Sequence, residues 1–170
     1  MTPLSASMRS FRSAFAVSPG VIGLVVADPP GEVVWVGVAI EGGAAAESPT
    51  DSGVARLVTR LIHPRAELHA DDIRLGLSLP AADLDGGLER LAARLSARPL
   101  SPQAMESARA RAAAPTRRYP LDPHLGTPGL EPAPGALSAV PPSVIQAFHD
   151  AHVAGARIAV VLRGVDARRG

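Results

Sequence analysis

Between Thr50 and Ile62 the sequence reads TDSGVARLVTRLI, with Val54, Leu57, Val58, Leu61 and Ile62 three and four residues apart. On an α-helix that spacing makes one continuous apolar face, which must be buried against another element. Thr50, Asp51 and Ser52 are good N-cap residues and stand just before the periodic stretch. Arg56, Thr59 and Arg60 fall on the opposite side of the same helix. The rest of the chain is read around this segment, because what lies before it has the period of strands.

Phe11 to Val17 alternates and is followed by the turn Ser18-Pro19-Gly20. Val21 to Ala27 is a second strand, closed by Asp28-Pro29-Pro30-Gly31. Glu32 to Glu41 is a third, rich in β-branched residues and expected to be buried on both faces, with the second and third strands forming a hairpin. After the helix, His63-Pro64 ends it. Glu67 to Ala70 reads as a short strand or edge, and Ile73, Leu75, Leu77 and Leu79 alternate on one face of a further strand. Asp83 is placed to cap a helix to about Ala97, with Leu84, Leu88, Leu91, Ala92 and Leu95 as its stripe. Ser101 and Pro102 read as N-cap and first residue of another helix, through Met105, Ala108 and Ala112. Pro141-Pro142 opens the last helix, and Ala156 to Leu162 is the last strand.

Composition narrows the chemistry. The 170 residues suit one domain, and with aromatics at only 3% the core must be aliphatic. The seventeen basic residues, all Arg, nearly balance sixteen acidic ones. The only adjacent basic pairs are Arg117-Arg118 and Arg168-Arg169, without interleaved aromatics, which argues against nucleic-acid binding. No Cys means no disulfide and no thiolate nucleophile or metal ligand; no Lys means no side-chain Schiff base. Met1 to Ser10 lacks an apolar signal core, and Val33 to Ile40 is too short to span a membrane, so a cytoplasmic protein without membrane partners is expected.

Residues 114–139 hold six prolines and read as a Pro/Gly-rich loop. Tyr119, Asp122 and His124 there are the concentrated acid–base candidates for catalysis, set against a polar linker with no chemistry. His149 and His152, three residues apart on the last helix, could share a metal, but packing explains them better. Residues 1–10 are expected to be a flexible N-terminus, 11–166 a single lobe and 167–170 an exposed tail.

Gly43, Glu47 four residues on, and Gly53-Val54-Ala55 six after that resemble the insulinase-like metallopeptidases, the family of pitrilysin and the mitochondrial processing peptidases. That family carries G-S-x-x-E, a short Pro-containing loop and G-x-A-H-x-x-E-H, in which the two His bind zinc and the Glu is the general base. Here Arg56 matches the first His, Thr59 the Glu and Arg60 the second His. Arg111 to Ala114 fill the stretch where the family carries its remaining zinc ligand. The resemblance spans about Phe11 to Asp166 and implies one shortened lobe of the α+β class, a mixed sheet with helices packed mainly on one face, with the zinc motif lost. No metal and no cofactor is therefore expected. Arginine stays protonated and offers only donors, so Arg56 and Arg60 would repel a cation. They are either solvated surface or a pair that holds a carboxylate or phosphate.

Family members are clamshells of several lobes around a chamber, and they present an edge strand near Ile73 to Leu79 that pairs with extended substrate. The resemblance thus implies a non-catalytic, metal-free subunit that pairs with a homologous subunit and forms half of a chamber for a peptide or acidic small molecule, with peptide maturation as the setting. In that reading Arg56, Thr59 and Arg60 contact substrate or partner. The alternative is a lobe recruited as an enzyme in natural-product biosynthesis, without zinc proteolysis.

Overall fold

The computed structural model describes residues 12–18, 20–26, 31–96, 99–113 and 135–164. Three strands come first: β1 (Arg12–Ser18), β2 (Val21–Val26) and β3 (Val33–Glu41). A single helical turn at Ala44–Ala46 leads to α1 (Val54–Ile62). Then follow β4 (Glu67–Leu68), β5 (Asp72–Pro80), α2 (Leu84–Leu95), α3 (Pro102–Ala113), α4 (Ala136–Ala139), α5 (Pro142–His152) and β6 (Ile158–Arg163). The strands form one mixed six-stranded sheet in the order β1-β2-β6-β3-β5-β4.

The expected hairpin between the second and third strands is not there. β6 lies between them, parallel to β2 and antiparallel to β3, with Val38 opposite Val160 and Val160 opposite Gly23. The chain's last strand closes the middle of the sheet, a long-range pairing that short-range turn signals do not encode.

β3 is not buried on both faces. Val34, Val36, Val38 and Ile40 are 0–4% exposed, whereas Val33 is 58% and Trp35 42% exposed on the other side. The inward residues meet Ile73 and Leu75 of β5 and one aliphatic cluster from α1, α2, α3 and α5. All the long helices thus share the core on one face of the sheet, as the α+β reading expects. With one Trp, one Tyr and three Phe in the chain, that core is filled by branched aliphatics.

Several local expectations hold. Ser101 Oγ accepts a hydrogen bond from the Ala104 amide at 3.1 Å and so caps α3. Met105, Ala108 and Ala112 are buried along it. β4 is a two-residue edge, as expected for the stretch after α1. The stripe of α2 is narrower than its period suggests: Leu91 and Leu95 are buried, but Ala92 is exposed. Gly87, a poor helix former, has a packing reason, because a side chain there would run into Leu79 of β5. The stretch read as loop ends in helix, since Ala136–Ala139 forms α4. Among the described residues no helix is long and apolar enough to cross a membrane.

Candidate functional site

The site is built on α1, and the way α1 begins is not what its local sequence suggests. Thr50, Asp51 and Ser52 do not cap it. Ser48 Oγ donates instead to the Asp51 carboxylate at 2.6 Å, within the turn before the helix. The N-cap is Gly53, in the left-handed region at φ 93°, where a residue without Cβ is favoured. The capping group arrives from upstream: the Glu47 carboxylate accepts from the Gly53 amide at 3.0 Å and the Ala55 amide at 2.8 Å. A carboxylate at this end also meets the positive end of the helix dipole. Gly43 has a steric role, because a Cβ there would strike the backbone of His69, Ala70 and Asp72. Gly43, Glu47 and Gly53 therefore act together as the device that aims α1 across the sheet.

The far side of α1 is not open solvent. Thr59 is only 2% exposed, and its hydroxyl donates to the Ala55 carbonyl at 2.7 Å. Its placement on an open helix face is thus corrected: α1 packs most extensively against α3 and also against α5 and α2, and Thr59 is buried. A short β-branched residue whose hydroxyl bonds one turn back can be buried without an unsatisfied group. Arg56 is partly buried, and its Nε donates to the Ala112 carbonyl near the end of α3 at 3.1 Å. Arg60 donates from one guanidinium nitrogen to the carbonyls of Pro64, at 2.9 Å, and Ala66, at 2.7 Å. Both arginines tie α1 to its surroundings as well as carrying charge.

That charge is concentrated. Burial, then the charges of Arg56 and Arg111, hold the Arg60 guanidinium below its ordinary pKa, while Glu67 pulls the other way. Arg111, on the last turn of α3, was passed over in the sequence as a position lacking an acid; its part in this cluster comes from the packing of α3 on α1. The donor set does not fit zinc: two guanidiniums supply no lone pair, and the Thr59 hydroxyl is already engaged. No group of three or more His, Asp or Glu among the described residues could hold a metal. Guanidiniums offer only donors, so the ligand class they could take is an anion.

Other candidates lie elsewhere. His152 packs against Phe148 in a tilted arrangement with ring centroids 4.5 Å apart, and His149 is buried. An open cavity of about 540 Å³ is lined by Gly42, Gly43, Asp71, His152 and Arg157 among others, and shares no residue with the arginine cluster. Tyr119, Asp122 and His124 lie outside the described residues.

No protein-family model matches the sequence, and no curated protein sequence does. Solved structures match over nearly the whole chain. The periplasmic protease PqqL from Escherichia coli superposes with a TM-score of 0.74 at 12% identity, over 93% of this chain and 22% of that one. A protease from Helicobacter pylori gives 0.71 at 16% identity, over 94% and 48%. A predicted insulinase family protease from Yersinia pestis gives 0.67 at 17%, over 93% and 43%. The fold is that of an insulinase-like protease lobe. The chain spans between about a fifth and a half of the length of these structures.

Proposed function

We propose that this chain is a metal-free, non-catalytic insulinase-like lobe that pairs with a related lobe and holds a carboxylate against Arg56, Arg60 and Arg111. The observation that carries this is the cluster itself. Arg56 and Arg60 stand four residues apart on α1, and Arg111 lies on the last turn of α3, at the stretches that match the family's zinc ligands. Arg56 spans from α1 to the α3 backbone at Ala112, within the stretch that matches the family's remaining zinc ligand, so a hydrogen bond joins the two helices there. The ligand class is an acidic peptide group, a peptide C-terminus or an acidic metabolite.

The sheet edge favours a peptide. On its outer side β5 is paired only at Ile73 and Arg74, by β4, so Gly76 to Pro80 has no strand neighbour there among the described residues. An extended peptide can add to such an edge through backbone hydrogen bonds. The ferredoxin protease FusC, which matches this chain with a TM-score of 0.72 at 14% identity, over 94% of this chain and 23% of its own, was solved with Arabidopsis ferredoxin, a polypeptide.

Calorimetry with paired peptides, one with a free and one with an amidated C-terminus, tests the reading. The free acid should bind at least tenfold more tightly, about 1.4 kcal/mol, and Arg56→Gln with Arg60→Gln should abolish the difference. Equal affinity for both peptides overturns the carboxylate site. Zinc at one equivalent per chain in chelator-free protein overturns the metal-free reading.

A further inference from the structure

The open cavity of about 540 Å³ is formed where four segments meet. These are the end of β3 at Gly42 and Gly43, the single turn at Ala44–Ala46, the turn before β5 at Ala70 and Asp71, and the end of α5 with the loop to β6. Backbone bonds fix the first three together. The Gly42 amide donates to the Asp71 carbonyl at 3.1 Å, and the Ala44 and Ala45 amides donate to the carbonyls of His69 and Ala70 at 2.9 and 2.7 Å. Gly42, at φ 119°, brings in the fourth: a Cβ there would strike the Cβ and the carbonyl oxygen of His152. With the backbones held, the small side chains of Ala45, Ala46, Ala151 and Ala156 leave the space between them unfilled. The volume lies within the roughly 300–1,000 Å³ of small-ligand sites.

The polar groups on this wall are mostly acceptors. The last carbonyls of an α-helix have no partner within the helix. At the end of α5 the amides of Val153 and Ala154 both turn to the His149 carbonyl, and that of Ala156 turns to Val153. Among the described residues no backbone amide therefore reaches the carbonyls of Ala151 and His152, and both of these residues line the cavity. They also mark the negative end of the helix dipole. The Glu41 carboxylate is held by Arg157, whose Nε and Nη2 donate to it at 2.8 and 3.2 Å, so these two charges offset each other. Asp71 is exposed, and among the described residues nothing pairs with its carboxylate.

We infer that this cavity binds a primary ammonium group, held by the Asp71 carboxylate and the carbonyls at the end of α5. An ammonium is compact and carries three N–H donors with no acceptor, which answers one carboxylate and a pair of carbonyls. Bonds from such a cation to a carboxylate are of the stronger, charge-assisted kind. An anion would meet lone pairs and a charge of its own sign. A metal ion would find too few ligands, since no group of three or more His, Asp or Glu among the described residues could hold one. The alanine walls leave room for the carbon chain that carries the amine. That amine belongs to the first residue of a peptide or to a lysine side chain, which share this chemistry. The site has no residue in common with the arginines and stands whether or not they hold a carboxylate.

The ¹⁵N-labelled full chain tests this by NMR, because Gly42, Gly43 and Gly155 line the cavity and their amides report on it. The probes are alanylalanine amide, its N-acetyl form and N-acetyl-lysine amide. None has a free carboxylate, so the arginines stay out of the result. At least one amine-bearing probe should shift the three glycine signals, and should bind at least tenfold more tightly than N-acetyl-alanylalanine amide. A response to alanylalanine amide assigns the site to a chain's first residue, and one to N-acetyl-lysine amide alone assigns it to a lysine side chain. Asp71→Asn keeps the shape of an exposed side chain and should weaken amine binding at least tenfold. Ala151→Leu, at an exposed helix position, should fill the cavity and do the same with the remaining signals in place. Equal shifts with the acetylated dipeptide overturn the proposal. So does the absence of any shift with either amine up to about 10 mM, or amine binding that neither variant weakens.

Discussion

Leu57 and Arg60 are less than one turn apart on α1 and meet different neighbours. Leu57 is fully buried among the aliphatics of the sheet and helices. Arg60 reaches away from that cluster and binds the carbonyls of the loop that follows its own helix. One side of the helix is held by contacts that need only the right volume. The other is held by directed bonds to backbone groups brought there by α3 and by the turn after α1. The first kind of support is written in the spacing of residues along the helix. The second depends on where distant carbonyls end up.

The strongest way to sharpen this contrast is to empty the apolar side. Leu57→Ala removes a side chain with no exposed surface and should lower stability by about 2–5 kcal/mol, as cavities in aliphatic cores do. Urea unfolding reads this directly; a loss well under 1 kcal/mol would mean that the cluster collapses around the gap.

The same division explains what the sequence reveals. Val54, Leu57, Val58 and Ile62 could be assigned to the core from their period, β3 from its β-branched residues, β5 from alternation and α3 from the Ser101-Pro102 start. The insertion of β6 between β2 and β3 could not, because Val160 meets Val38 across more than a hundred residues. Nor could the burial of Thr59, which depends on the helices packed on α1, or the place of Arg111, which depends on α3. The cap of α1 lay between these cases. Glu47 was visible as part of a motif, yet three better local candidates stand nearer the helix. Gly53 in its left-handed conformation turns the chain so that the distant carboxylate faces the free amides.

Glu47 thus provides a second test, of intermediate size. Glu47→Ala leaves the Gly53 and Ala55 amides without their acceptor and should lower stability by about 0.5–2 kcal/mol. Ser48→Ala, which removes a bond within the preceding turn, should cost less than Glu47→Ala. Equal losses in thermal unfolding would mean that the turn, not the carboxylate, fixes the start of α1.

On the arginine side the expected losses are smaller. A side chain on a free surface could be removed at almost no cost, whereas Arg60→Ala here breaks two bonds to carbonyls and Arg56→Ala breaks the bond between α1 and α3. Each variant should lose about 0.5–1.5 kcal/mol, the usual net value of a hydrogen bond, reduced for Arg60 by relief of repulsion from Arg56 and Arg111. If both are neutral in urea unfolding, these bonds are dispensable and the side chains are held only by solvent.

The smallest effect lies at the end of α1, where both kinds of support meet. His63 follows the helix, and its Nδ1 accepts a hydrogen bond from the Arg65 amide at 3.1 Å. Partial burial, then the charges of Arg94 and Arg65, hold its pKa below the ordinary value of 6.5. Protonation would remove the lone pair that Arg65 uses and place a third positive charge beside two. The unfolded chain therefore binds a proton more readily than the folded one. Stability contributed by neutral His63 is complete above pH 6.5 and is lost as the pH falls from there through the lowered native value. His63→Asn keeps a short polar group and removes the titration. The stability difference between wild type and variant should be flat above pH 6.5 and should shift against the wild type on acidification. Measuring the difference cancels the carboxylates that titrate in both proteins. A difference that stays constant from pH 7.5 to pH 5 would show that the cations around His63 are screened by water, and that the polar side of α1 ends at Arg60.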